Sequence, residues 1–227
     1  MGCGGIEVIK RLVIFDCDGT LLDTIEDVCD CFNEALIASG LPTRDSKEIA
    51  KYIGLPLEKI VEGIIPADIV SEGMISAVSA EYRSAYARST KPCTRPFPGI
   101  TRLLRNLERQ GIMVAVNSNK PEENLIKIVR EHFKGSKIAI AGYIPGRETK
   151  PSGDGARYLM NVCGVKAEHT VYVGDTWIDL ETARDAGIGC AIVTWGQGTQ
   201  ELYKKAGQAR ICSTPEVLEN VIIDSVR

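Results

Sequence analysis

Apolar positions change rhythm twice along this chain. Arg11-Leu12-Val13-Ile14-Phe15 is a short, nearly continuous apolar run that breaks into Asp-Cys-Asp-Gly-Thr. Such a run fits a strand at the centre of a parallel sheet, buried on both faces. Helical spacing follows at once. Ile25, Val28, Phe32, Ala35 and Leu36 predict a helix over about 24–39, ended by Gly40 and Pro42. From about 43 to 90 the spacing stays helical, with helices expected near 58–65 and 75–87 and no convincing strand. Lys91-Pro92-Cys93-Thr94-Arg95-Pro96-Phe97-Pro98-Gly99 then interrupts all periodicity, as a domain junction would.

Beyond the junction, strand and helix patterns alternate. Strands are expected at 112–116, 138–141, 170–173 and 190–193, with helices at 121–133, 154–163 and 178–186 between them. Asn119 stands near the N-cap of the 121–133 helix, with Pro121 near its first turn. Ser213-Thr214-Pro215-Glu216 reads as a capping box opening a last helix. The alternation predicts an α/β fold: a doubly wound parallel sheet, Rossmann-like, with a small α-helical cap domain inserted after the first strand. The expected division is 1–22 and 92–227 for the α/β core and 23–91 for the cap.

Composition narrows the classes. At 44% hydrophobic and 25% charged residues the chain reads as an ordinary globular protein. A net charge of −3 with no long Lys/Arg block makes nucleic acid or an anionic membrane an unexpected partner. Met1-Gly2-Cys3-Gly4-Gly5 lacks the layout of a signal peptide, so a cytoplasmic location is the default expectation. The eight cysteines are scattered, include no C-x-x-C, and have only His132 and His169 to complete a zinc site; free thiols in a reducing compartment are expected. Cys17 alone, between two aspartates, is placed where oxidation would matter.

In open parallel sheets ligands gather at the carboxyl ends of strands. Asp16 and Asp18 follow the first strand. Asn117, Ser118 and Asn119 follow 112–116. Lys150 lies after 138–141, and Gly174, Asp175 and then Asp179 follow 170–173. Each signal alone has a plain reading: a turn, a helix cap or a surface charge. Together they put carboxylates, a hydroxyl and a lysine on one rim, a set suited to a divalent cation and a phosphate. No G-x-G-x-x-G follows the first strand and no Walker-type loop is present, so neither a dinucleotide nor that kind of ATP hydrolysis is indicated.

These residues resemble the motifs of the haloacid dehalogenase superfamily of phosphatases over nearly the whole chain. Asp16-Cys17-Asp18-Gly19-Thr20 looks like the first motif, Ser118 with Asn119-Lys120 the second, Lys150-Pro151 the third, and Gly174-Asp175-Thr176 with Asp179 the fourth. Ile53-Gly54-Leu55-Pro56, Arg95-Pro96-Phe97-Pro98-Gly99 and Val193-Thr194-Trp195-Gly196 resemble the phosphoglycolate phosphatase branch, while Pro151-Ser152 departs from it where relatives carry a second proline.

The resemblance implies a Mg2+-dependent phosphatase acting on a small phosphate monoester, phosphoglycolate or similar. Asp16 would be the nucleophile and Asp18 the acid–base, with Ser118 and Lys150 catalytic beside them. Thr20 and Asn119 would contact phosphate or substrate. Asp16, Asp18 (through its backbone carbonyl) and Asp175 would hold the metal, and Asp179 would support the site from behind. In the cap, Arg44, Lys51, Arg83 and Arg88 are candidate contacts for a second anionic group. The cap would close as a lid, hinged near Leu22-Asp23 and near 91–98. Alternatives are a sugar phosphomutase of the same superfamily or, from another class, a phosphorylatable receiver module. Monomer and dimer are equally compatible with the sequence.

Overall fold

The structure is a computed structural model that describes residues 9–227. Cys3 and the glycine-rich opening stretch lie outside the described residues. The chain enters through strand β1 (Arg11–Phe15) and leaves along the short strand β2 (Leu22–Asp23). It then forms α1 (Ile25–Ala38), α2 (Ser46–Ala50), α3 (Leu57–Ile64) and α4 (Glu72–Arg88) and returns through β3 (Arg95–Pro96). Strands and helices alternate from there: α5 (Ile100–Arg109), β4 (Ile112–Pro121), α6 (Glu122–His132), β5 (Ile138–Tyr143) and α7 (Asp154–Cys163). The last part runs β6 (Thr170–Gly174), α8 (Trp177–Ala186), β7 (Gly189–Val193), α9 (Gln200–Lys205), β8 (Arg210–Cys212) and α10 (Pro215–Ser225).

Six of these strands form one parallel sheet in the order β5-β4-β1-β6-β7-β8. Strand β1 lies inside it, and its side chains alternate between the faces. Val13 and Phe15 enter the core under α5, α6 and α10; Leu12 and Ile14 enter the core under α7 and α8. Burial on both faces is why β1 reads as an unbroken apolar run. After β1 the chain builds outward through β4 and β5 on one side, then through β6, β7 and β8 on the other. The carboxyl end of β1 is therefore the switch point of a doubly wound sheet, where such folds bind ligands.

Helices α1 to α4 bury a separate apolar cluster that includes Phe32, Leu36, Ile49, Val61, Ile64 and Val78. Both crossings between this cluster and the sheet lie side by side, because β2 pairs antiparallel with β3. Asp27 of α1 accepts hydrogen bonds from the backbone of Cys93 (3.1 Å) and Thr94 (2.6 Å) and from the Thr94 hydroxyl (2.6 Å), tying the return segment to α1.

The elements differ from expectation mainly at the 112–121 segment. Strand β4 runs on to Pro121 with a register shift after Asn117, and Pro121 itself is the N-cap of α6. Asn119 is thus not a cap; its side chain is used elsewhere. The short β8, α9 and the β2–β3 ribbon carry too few periodic residues to have been foreseen.

Candidate active site

Each of the strongest sequence signals lies at the carboxyl end of the sheet. The Asp16 amide donates to the carbonyl of Val173 (2.8 Å), which extends the β1–β6 pairing to the first residue of the site. Gly19 turns the chain with φ of +91°, and a Cβ there would collide with the Asp175 carboxylate. A Cβ at Gly196 would collide with the same carboxylate. That close approach lets the Gln197 amide donate to Asp175 Oδ2 (2.5 Å), while the Thr20 hydroxyl donates to Oδ1 (3.0 Å).

Asp16, Asp175 and Asp179 are buried and each offers a carboxylate oxygen within 4.8 Å of the others. Lys150, also buried, lies 2.5 Å from Asp16 Oδ1 and 2.8 Å from Asp179 Oδ1. One ammonium thus pairs with two of the three carboxylates in the cluster. Burial, only partly offset by Lys150, pushes the Asp16 carboxyl well above the ordinary carboxylate range, with Asp179 and Asp175 adding to the rise. Burial and then Asp179 push Asp175 up to about 7. Burial alone would lower the Lys150 ammonium; Asp16 and Asp179 outweigh it and hold its pKa well above the usual value.

The excess of negative charge fits a cation, and an all-carboxylate donor set suits magnesium. Asp179 is the most fully engaged of the three. Its Oδ1 takes Lys150, and its Oδ2 accepts from Thr176 N (3.0 Å), Thr176 Oγ1 (2.9 Å) and Asp175 N (3.2 Å). Asp16 and Asp175 retain the freer oxygens.

Asp18 sits above this cluster. Its Oδ1 accepts from the Thr24 hydroxyl (2.7 Å) and lies 3.1 Å from Lys120 Nζ. Thr24 precedes α1 but makes no side-chain cap; its hydroxyl is spent on Asp18 instead. Lys120 in turn lies 4.9 Å over the Tyr86 ring of α4. Sequence reasoning missed Lys120 and Thr24 as partners of Asp18, although Lys120 stood inside a recognised motif.

Ser118 lines the pocket with its oxygen accepting from Lys120 N (3.2 Å), so its own proton faces no partner among the described residues. Thr20 and Asn119, the expected phosphate or substrate contacts, are both engaged in hydrogen bonds within the protein, and Asn119 also lines the pocket. The Thr20 hydroxyl is buried beneath Asp175. The Asn119 amide donates to Gly54 O (2.8 Å) and Lys150 O (3.0 Å) and accepts from Lys150 N (2.7 Å). It thereby joins the lysine loop to the helical block.

The cations of the helical block are mostly committed. Arg44 donates to Ile64 O (2.7 Å), Arg88 pairs with Glu34 (2.5 Å) and Arg83 with Glu58 (2.5 Å). Of the four only Arg83 borders the pocket; Lys51 lines a separate groove beside Trp177. Cys17 packs wholly inside the core, and burial raises its thiol pKa well above normal. A redox role there is not supported, since oxidation follows exposure and thiolate character. No described cysteine forms a disulfide, and no helix among the described residues is long and apolar enough to cross a membrane.

Residues 13–193 match the family model described as haloacid dehalogenase-like hydrolase. Phosphoglycolate phosphatase 1 of Pseudomonas aeruginosa is 30% identical over 83% of this chain and 71% of its own. The phosphoglycolate phosphatase of Aquifex aeolicus is 30% identical over 82% and 85%. The crystal structure of a proposed phosphoglycolate phosphatase from Lactobacillus delbrueckii superposes with a TM-score of 0.88 at 30% identity, covering 94% of this chain and 98% of that one.

Proposed function

The chain belongs to the haloacid dehalogenase-like hydrolases, and from that premise we propose that it hydrolyses small phosphate monoesters through a phosphorylated Asp16. One observation carries the reading. Lys150 holds Asp16 Oδ1, no hydrogen bond among the described residues occupies Oδ2, and Asp16 lines a pocket together with Ser118 and Asp18. A carboxylate held at one oxygen and free at the other is a positioned nucleophile.

Asp16 Oδ2 attacks phosphorus as the bond to the alcohol oxygen breaks. Asp18 gives its proton to that oxygen. The Asp18 carboxylate then takes a proton from water, which attacks the phosphorus of the aspartyl phosphate and releases inorganic phosphate and free Asp16. Thr24 and Lys120 hold Asp18 Oδ1, leaving Oδ2 for both transfers. Ser118 donates to a phosphoryl oxygen, and Lys150 opposes charge on nucleophile and phosphoryl group. Magnesium, held by Asp16, Asp175 and the backbone carbonyl of Asp18, would neutralise charge spreading over the phosphoryl oxygens. Asp179 fixes Lys150 and the β6–α8 turn. Thr20 and Asn119 position Asp175 and Lys150 respectively.

The described part of 23–91 acts in this reading as a cap. Its own apolar cluster and the adjacent β2–β3 crossings support motion as a unit, and closure would exclude water and folded phosphoproteins alike. Phosphoglycolate, the ester in the relatives' names, is the reference substrate. Release of phosphate from a panel of small monoesters with magnesium, and its loss on chelation, tests the reading. Full activity after exhaustive chelation would contradict the metal requirement; a sugar-phosphate isomerisation in place of phosphate release would make the chain a mutase.

A further inference from the structure

The pocket above Asp16 has most of its charged and amide groups on the sheet side, with Arg83 on the helical side. Its apolar wall comes from the helical block: Val28 and Phe32 of α1, Leu55, Ile60 of α3, and Tyr82 and Tyr86 of α4. Phe32 and Tyr82 stack with ring centroids 4.0 Å apart, and Tyr86 stands beside Tyr82 at 5.8 Å. These rings belong to the apolar wall of the pocket together with the aliphatic side chains beside them.

Among the described residues, a second anionic group on the alcohol would meet two cations that border the pocket, Arg83 and Lys120, each of which already has a partner. Arg83, at the rim, is paired with Glu58. Lys120 is buried and shared between Asp18 and the Tyr86 face. A substrate carboxylate beside Lys120 would place two carboxylates on one ammonium between apolar walls, and unpaired buried charge is expensive. An apolar alcohol meets no such cost and gains the burial of its own surface. Aromatic rings add a geometric preference for a flat partner.

We propose that the pocket selects phosphate monoesters of apolar, ring-bearing alcohols, of the benzyl type, over esters whose alcohol carries a carboxylate. This rests on the phosphatase reading and narrows its leaving group. Specificity so defined is a difference between two esters, set as much by what the walls reject as by what they accept.

The test compares benzyl phosphate with phosphoglycolate on the full chain with magnesium, two alkyl esters whose reaction asks the same of Asp18. Benzyl phosphate should lead in kcat/KM by about tenfold or more, the scale on which apolar pockets discriminate. Tyr82→Leu, which keeps apolar bulk and removes the ring, should narrow that ratio by about threefold or more. Because the readout is a ratio, a general loss of folded enzyme does not imitate it. Equal rates, or a lead for phosphoglycolate, overturn the proposal and leave the phosphatase reading standing. So does a ratio that Tyr82→Leu leaves unmoved. If neither ester is hydrolysed, the phosphatase reading fails, and thermal shifts with benzylphosphonate and phosphonoacetate judge the pocket alone. Greater stabilisation by benzylphosphonate upholds the pocket's preference; equal or greater stabilisation by phosphonoacetate overturns it.

Discussion

At the floor of the pocket Asp16, Lys150, Asp175 and Asp179 are each no more than 3% exposed, and each is tied to at least one of the others or to the turns that carry them. At the roof, α1, α3 and α4 present Val28, Phe32, Ile60, Tyr82 and Tyr86, held by ordinary apolar packing among themselves. The floor is a charge network in which removing one member strands the rest. The roof is a packed surface whose members can be exchanged at the cost of their own contacts. We read the difference as a division of labour: the floor sets the reaction and the roof sets which ester reaches it.

The largest effect should come from Asp16→Asn. The amide is nearly isosteric but cannot form the covalent intermediate, so kcat should fall by about 10⁴-fold or more, with circular dichroism unchanged. Substantial residual turnover would remove Asp16 as nucleophile. Asp18→Asn should cost about 10²–10⁴-fold, more on alkyl than on activated aryl esters, because a good leaving group needs less proton help. Equal losses on both would remove Asp18 as the acid.

Lys150→Ala tests the floor as a structure. It leaves two buried carboxylates, Asp16 and Asp179, without their ammonium and should cost about 3–5 kcal/mol of stability by denaturant unfolding. A loss below about 1 kcal/mol, the value of an exposed pair, would mean the network is not the tight unit described. Magnesium at about 100 times its Kd should add about 2.7 kcal/mol, seen as a rise in Tm of about 5–10 °C for a chain of this size.

That rise should grow between pH 6 and pH 8. The Asp175 pKa is raised by folding to about 7, so the metal-free fold binds its proton more tightly than the unfolded chain does. Metal-free stability therefore falls as pH rises from about 4, the unfolded carboxylate value, towards 7, and magnesium must displace that proton below 7. A thermal shift independent of pH would contradict this. The smallest effect belongs to the rim. Arg83→Gln removes a half-exposed pair with Glu58 and should change stability by about 1 kcal/mol or less.

Much of the floor was legible in the sequence, because strand ends announce themselves. An apolar run that stops in Asp-x-Asp-Gly-Thr, and another that stops in Gly-Asp, specify both the strand and what it presents. The roof was legible only as helices. Periodicity shows that Phe32 and Tyr82 are on apolar faces, but not that part of those faces looks into a pocket. The partners of Asp18 were hidden for a different reason. Thr24 looks like a helix cap and Lys120 like a surface charge until the fold brings them 2.7 and 3.1 Å from one oxygen. Asn119 likewise carried the signature of a cap and proved to join two loops. Spacing within one element cannot register a hydrogen bond that leaves it, whether to a loop 6 residues away, as from Thr24 to Asp18, or to one 31 away, as between Asn119 and Lys150.

In the proposed mechanism Asp16 carries the phosphoryl group. Rapid quenching of a single turnover, followed by borohydride reduction and peptide mass spectrometry, tests it directly, because an acyl phosphate on aspartate is reduced to homoserine. Homoserine is expected at residue 16 during turnover, absent without substrate and absent in Asp16→Asn. Phosphate release with residue 16 unaltered at every quench time, or a phosphoryl group trapped on Ser118 instead, would contradict it.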